Sequence, residues 1–96
     1  MLKVSFNQES ATERAKQDLA HRLGITETEI EVDSVNSEEF PDMCLGIPVD
    51  DEMCAQMIAS GWQINLKANG LDYNYRADKY QIRLRDFDGK NYVIEY

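Results

Sequence analysis

Cys44 and Cys54 are the only cysteines of the chain and stand ten residues apart. Structural zinc needs four ligands, drawn mainly from Cys and His. The one histidine, His21, lies far along the chain in an amphipathic stretch, so the three residues cannot complete a zinc site. A disulfide requires the intervening chain to double back. It would close a short loop and add about 2–3 kcal/mol by the chain-entropy estimate. In a reducing compartment the same pair stays as two thiols, and the sequence leaves both states open, a redox-responsive pair included. Asp50, Asp51 and Glu52 precede Cys54 and disfavour a thiolate there, which argues against a nucleophile. His21 reads as an exposed helix histidine rather than a catalytic partner. Asp86-Phe87-Asp88-Gly89 holds a fragment of a calcium loop, but no glutamate follows at the required distance. A hairpin turn explains Asp88-Gly89 instead. No catalytic group, metal site or cofactor site is expected.

The stretch Phe40–Pro48 offers binding rather than chemistry. Phe40, Pro41, Asp42, Leu45, Gly46, Ile47 and Pro48 form a long irregular loop, and loops of this length in a small domain are commonly functional. Pro41 and Pro48 stiffen it, which lowers the entropy lost on binding. Leu45 and Ile47 are either exposed anchors or a small cluster tucked under the loop. A second candidate surface is Gln56, Ser60 and Gly61, at what would be a hairpin tip over Ala59–Gly61.

The elements that position these residues follow from periodicity. Leu2, Val4 and Phe6 alternate, as in a short strand. Ser10-Ala11-Thr12-Glu13 has the form of a capping box. Ala11, Ala15, Leu19 and Leu23 then make one apolar stripe, with Gly24 at the left-handed stop position. The spacing predicts a helix over Ala11–Leu23. Ile30, Val32, Val35 and Phe40 suggest a strand with a bulge near Asn36. Trp62, Ile64 and Leu66 alternate with Gln63, Asn65 and Lys67. Asn69-Gly70 is a type I′ hairpin signal, and Leu71, Tyr73 and Tyr75 continue as the return strand. Tyr80, Ile82 and Leu84 lead through Asp88-Gly89 to Tyr92, Ile94 and Tyr96. Strands with one apolar face imply an antiparallel sheet covered by the helix. Residues 50–61 stay ambiguous: Asp50 could cap a helix that ends at Gly61, or Cys54–Ile58 could be a strand turning at Ala59–Gly61.

Phe40-Pro41-Asp42-Met43-Cys44-Leu45-Gly46-Ile47-Pro48, Cys54-Ala55-Gln56-Met57-Ile58, Gly61-Trp62-Gln63-Ile64-Asn65-Leu66 and Tyr73-Asn74-Tyr75 resemble an uncharacterised bacterial family. Its members read W-P-D-x-x-L-G-x-P, C-A-Q-V-I, G-Y-x-I-x-L and Y-x-Y. A helix like Ala15-Lys16-Gln17-Asp18-Leu19-Ala20-His21-Arg22-Leu23-Gly24 precedes them. The resemblance covers residues 11–76, implies a hairpin over 54–67 and makes the tail from Tyr80 to Tyr96 an addition. It carries no function. Gln56-Met57-Ile58-Ala59-Ser60-Gly61 is also similar to the Q-x-V-x-G loop of cystatins, with one residue too many. That likeness is a fold analogy.

Ninety-six residues fit one domain over 1–96. The net charge is −8. From Ile25 to Met53 the chain carries Glu27, Glu29, Glu31, Asp33, Glu38, Glu39, Asp42, Asp50, Asp51 and Glu52, with no basic residue. Phosphate backbones repel such a surface, so nucleic acid is not an expected partner. Arg83 and Arg85 read as a solvated strand face. No apolar run approaches a membrane span, and the alternating start differs from a secretory signal, so a cytoplasmic location is expected. The sequence thus predicts an α+β domain: an N-terminal helix on an antiparallel meander of four to six strands. The function expected is a non-catalytic, monomeric binding module presenting Phe40–Pro48 to a protein partner, with protease inhibition as its sharpest form. The alternatives are a small-molecule pocket between helix and sheet, lined by Trp62, Tyr73 and Tyr75, and a redox-responsive domain using Cys44 and Cys54.

Overall fold

The structure is a computed structural model that describes residues 5–96. Helix α1 spans Gln8–Leu23, and a 3-10 turn at Glu27–Glu29 leads into the sheet. Five strands follow: β1 Glu31–Phe40, β2 Ala59–Ala68, β3 Leu71–Ala77, β4 Ile82–Phe87 and β5 Lys90–Glu95. Each pairs antiparallel with the next, in the order β1-β2-β3-β4-β5. The α+β meander read from alternation is therefore the observed fold. The expected strand over Leu2, Val4 and Phe6 falls mainly outside the described residues; the Phe6 N–H donates to the Lys79 carbonyl at 2.8 Å.

The helix begins three residues before the expected box. Asn7 is the cap: its side chain accepts from the Ser10 N–H at 2.8 Å, and the Ser10 hydroxyl accepts from the Asn7 N–H at 2.9 Å. Ser10 thus serves the third helical position instead of the cap. Gly24 ends the helix at φ 67°, as the pattern required. Ala11, Ala15 and Leu19 form the buried stripe. They pack on Ile64, Leu66, Tyr75, Ala77, Ile82 and Leu84 from the central strands. The alanines bring the helix axis close, so large strand residues fill the layer between. Tyr75 is fully buried and donates its hydroxyl proton to Asp18 Oδ2 at 2.8 Å. Burial first, and that bond second, push its phenol well above the usual range. Tyr75 therefore fills the interface in which a small-molecule pocket was expected, while Trp62 stays half-buried.

Three local expectations are corrected. The β1 bulge lies between Val32 and Ser34, not near Asn36. Residues 54–58 are neither helix nor strand. Asp51 takes a left-handed φ of 63°, which stops a helix there. β2 starts at Ala59 and runs straight through Ser60 and Gly61, paired with Glu39 and Glu38. No hairpin tip exists at Ala59–Gly61. Gly61 has a packing reason: a Cβ there would sit 1.9 Å from the Ala77 carbonyl oxygen. Asn69-Gly70 and Asp88-Gly89 do turn as read, each with two positive φ values.

Candidate functional site

The second face of the sheet is covered as well, by residues 41–58. From Phe40 the chain crosses the sheet, turns at Asp50-Asp51 and returns to Ala59. Its outward limb is tied through backbone carbonyls to Gln81, just before β4, and to β3, β4 and β5. Gln81 Nε2 donates to the Met43 carbonyl at 2.7 Å, and Arg76 Nη1 to that of Leu45 at 2.8 Å. Arg83 Nη1 reaches the Ile47 carbonyl at 3.4 Å, and Asn91 Nδ2 donates to that of Pro48 at 3.1 Å. The two limbs are stapled in antiparallel register. Cys44 and Cys54 form a disulfide with Cα atoms 5.5 Å apart, and the Met43 N–H donates to the Ala55 carbonyl at 3.0 Å. The sequence left thiols and disulfide open; the structure holds the disulfide.

Arg83 is the hub under this flap. It has no exposed surface, although alternation placed it on a wet face. Its guanidinium makes a two-pronged pair with Glu52, 2.5 Å to Oε1 and 2.7 Å to Oε2, and its Nε donates to Gln81 at 2.7 Å. The bond from Arg83 holds the Glu52 carboxyl below the usual carboxylate range, although partial burial opposes this. Arg76 lies over the Phe40 ring at 5.5 Å. Desolvation, and then the like charge of Arg85, pull its guanidinium below the usual value. Beyond the flap, Asn74 Nδ2 donates to Asn65 at 2.7 Å and Asn65 Nδ2 to Ser34 at 3.0 Å, a polar row across three strands. Arg85 is exposed on that face.

Phe40, Leu45 and Ile47 are buried, so of the two readings left open for Leu45 and Ile47 the cluster tucked under the loop is the one observed. Phe40, Leu45 and Ala59 form a second small core with Met43 against it. Asp42 is internal scaffolding: its Oδ1 accepts from the N–H groups of Cys44 and Gly46, at 2.9 and 3.0 Å. Pro41, Gly46 and Pro48 remain at the surface. Gly46, at φ 73°, also leaves room for the Arg76 guanidinium, which a Cβ would meet at 2.9 Å. Asp42, Cys44 and Cys54 bring metal-ligand atoms within 4.8 Å of one another. With both sulfurs in the disulfide, that group offers no thiolate.

Three exposed large apolar residues gather on the return limb, which the sequence reading had not favoured. Met53 is 97% exposed, Met57 64% and Ile58 68%. Gln56, from the supposed hairpin tip, is exposed beside them, while Gly61 is buried in β2. The missed signal was the pairing of limbs: 43 against 55 and 44 against 54 leave one limb under the other's shelter. Two concave places lie beside the sheet, one on its helix face and one at the β5 edge next to the flap. A groove of about 450 Å³ is lined by Ser37, Glu39, Ser60, Trp62 and Lys79. A cleft of about 620 Å³ lies between Pro48–Asp50 and Gly89–Val93. No helix among the described residues is long and apolar enough to cross a membrane.

The chain belongs to the family described as domain of unknown function DUF8738, whose sequence profile matches residues 12–93. No curated protein and no solved structure matches it. The matched segment includes β4 and most of β5, so the hairpin after Tyr80 is part of the family's domain and not an addition to it. The likeness to cystatins gains no support, since Gln56–Gly61 feeds a strand instead of forming a loop tip.

Proposed function

We propose that this member of the family is a non-catalytic protein-interaction module whose contact surface is the return limb of the flap, Met53 to Ile58. The observation that carries the reading is the exposure of Met53, Met57 and Ile58 on a loop fixed by a disulfide and by bonds to three strand residues and Gln81. Large apolar side chains held in water by a rigid support favour association, because little ordering entropy is lost on docking. Methionine adapts to varied partner surfaces. Protease inhibition through the loop would need Leu45 and Ile47 exposed, and both are buried. Disulfides persist in oxidising surroundings, which favours such a compartment over the cytoplasm.

Site-specific photocrosslinking in the native cell tests this. A photoreactive methionine analogue at position 53 or 57 is expected to give a discrete crosslinked protein species. The same chemistry at Lys16, on the helix, should not. Equal crosslinking from all three positions, or none from the flap, overturns the reading.

The staple itself supports a second reading, a redox-responsive flap. Cys54 is partly exposed and accessible to an attacking thiolate, whereas Cys44 is buried. A free-thiol count across a graded glutathione couple checks it; a bond that stays closed throughout the cellular range of poise ends it.

A further inference from the structure

The two edges of the sheet are unlike. β1 exposes Glu31, Asp33, Glu38 and Glu39 and carries a bulge, which are both devices that keep an edge from pairing. β5 lacks the acidic part of that guard. Its charged residues are Lys90 and Glu95, and Glu95 is occupied by Arg14 at 2.9 Å. Its ladder to β4 is irregular twice, at Ile94 of β5 and opposite Asn91, where the extra residue belongs to β4, so Lys90–Val93 of β5 itself runs without an inserted residue along the outer edge among the described residues. Beside that edge lies the cleft of about 620 Å³, walled by Pro48, Val49 and Val93. The Asn91 bond to the Pro48 carbonyl holds the flap in place there.

We propose that β5 takes an added strand from a partner protein, an extended segment in which apolar and basic residues alternate. A strand paired to an edge gains main-chain hydrogen bonds, and its alternate side chains point to one face of the sheet. On the flap face, one such side chain enters the cleft between Val49 and Val93. The charge around the cleft selects the partner. The cleft lining holds Asp50 and Lys90, and around it the exposed Asp51, Asp86 and Asp88 outnumber Arg85, on a chain of net charge −8. A basic segment is drawn to this rim, and a second acidic copy of the chain is repelled. The surface differs from the return limb, so this inference stands or falls independently of the previous one.

The test uses two blocked hexapeptides, one alternating valine with lysine and one alternating valine with glutamate, titrated into the nitrogen-labelled protein at low salt. The lysine peptide is expected to shift the amide signals of Lys90–Val93 and Val49 and to slow amide exchange in β5. It should bind about tenfold more tightly than the glutamate peptide, a difference of about 1.4 kcal/mol. The double substitution Asp50→Asn, Asp51→Asn should shrink that ratio by severalfold while leaving the folded spectrum intact. Shifts confined to β1 or to Met53–Ile58, equal binding of the two peptides, or β5 protection that rises with protein concentration alone would each overturn it.

Discussion

Arg83 carries a full charge with no water on it, and Glu52 is what makes that tolerable. Removing one partner of a buried pair strands the other, at a cost of about 3–5 kcal/mol. Glu52 keeps 22% of its side-chain surface in water, so solvent can partly replace it, and about 2 kcal/mol is expected for Glu52→Gln in urea unfolding. The pH dependence follows from the sign of the shift. The folded carboxyl is held below its ordinary 4.5, so its contribution is complete above that pH and fades as pH falls through the lowered value. The stability gap between wild type and Glu52→Gln should therefore be constant at neutral pH and close below about 4.5. A gap that does not change with acid would refute the pair's role. Nothing local to Arg83 shows this in the sequence: between Ile82 and Leu84 it has the alternation of a solvent-facing residue. Its partner lies 31 residues away in a loop, and only the path of the flap brings the two together.

The elements were legible where one period and one stop signal agreed. Ala11, Ala15, Leu19 and Gly24 identify the helix because the stripe and its terminator act within a few turns. Asn69-Gly70 and Asp88-Gly89 set two hairpins because positive φ at both central residues is a local demand. Boundaries set by rival local options were misread. Asn7 and Ser10 can both cap a helix, and the upstream residue won. Residues 54–61 failed for a non-local reason: the staple to Cys44 and the Glu52–Arg83 pair fix that limb, whatever its own preference. Gly61 shows the same limit. In the sequence it reads as a turn residue, yet it is an interior strand position where a side chain would strike the Ala77 carbonyl. Gly61→Ala must push β2 from β3, and overpacking of this kind typically costs about 1–3 kcal/mol. Thermal unfolding of that variant should show a lowered midpoint, whereas Gly70→Ala meets no neighbouring atom and is strained only by its φ of 76°. Equal losses at the two positions would mean that the close approach of β2 to β3 is not what requires Gly61.

At the scale of the whole molecule the sheet is sandwiched by unequal layers. On one face the helix contributes a stripe that is continuous with the main core. On the other, the flap owes its place to a three-residue apolar cluster, side-chain bonds to its carbonyls, one ion pair and one disulfide. The charge pattern was read only as a bar to phosphate backbones, yet its acidic and basic parts meet in the fold. The acidic stretch from Glu27 to Glu52 covers the β1 edge and the far turn of the flap, while the late arginines stand on the strands beneath, so the middle of the chain and its later strands carry opposite charge across the sheet. Which arginine would be covered was not readable, because that depends on where the flap crosses. Such unequal anchoring predicts two levels of stability. Cutting the staple, by reduction or by Cys44→Ser with Cys54→Ser, restores loop entropy worth about 2–3 kcal/mol. The loss should appear first as local opening of the flap. The Leu45 and Ile47 amides, bonded only to the carbonyls of Asp42 and Cys44 in the same loop, should exchange faster by about a hundredfold, following the factor of ten per 1.4 kcal/mol. Amides of β2 and β3 opposite Leu19 should keep most of their protection, since the helix layer does not depend on the flap. Exchange that accelerates equally in flap and sheet would show instead that the two layers open as one unit.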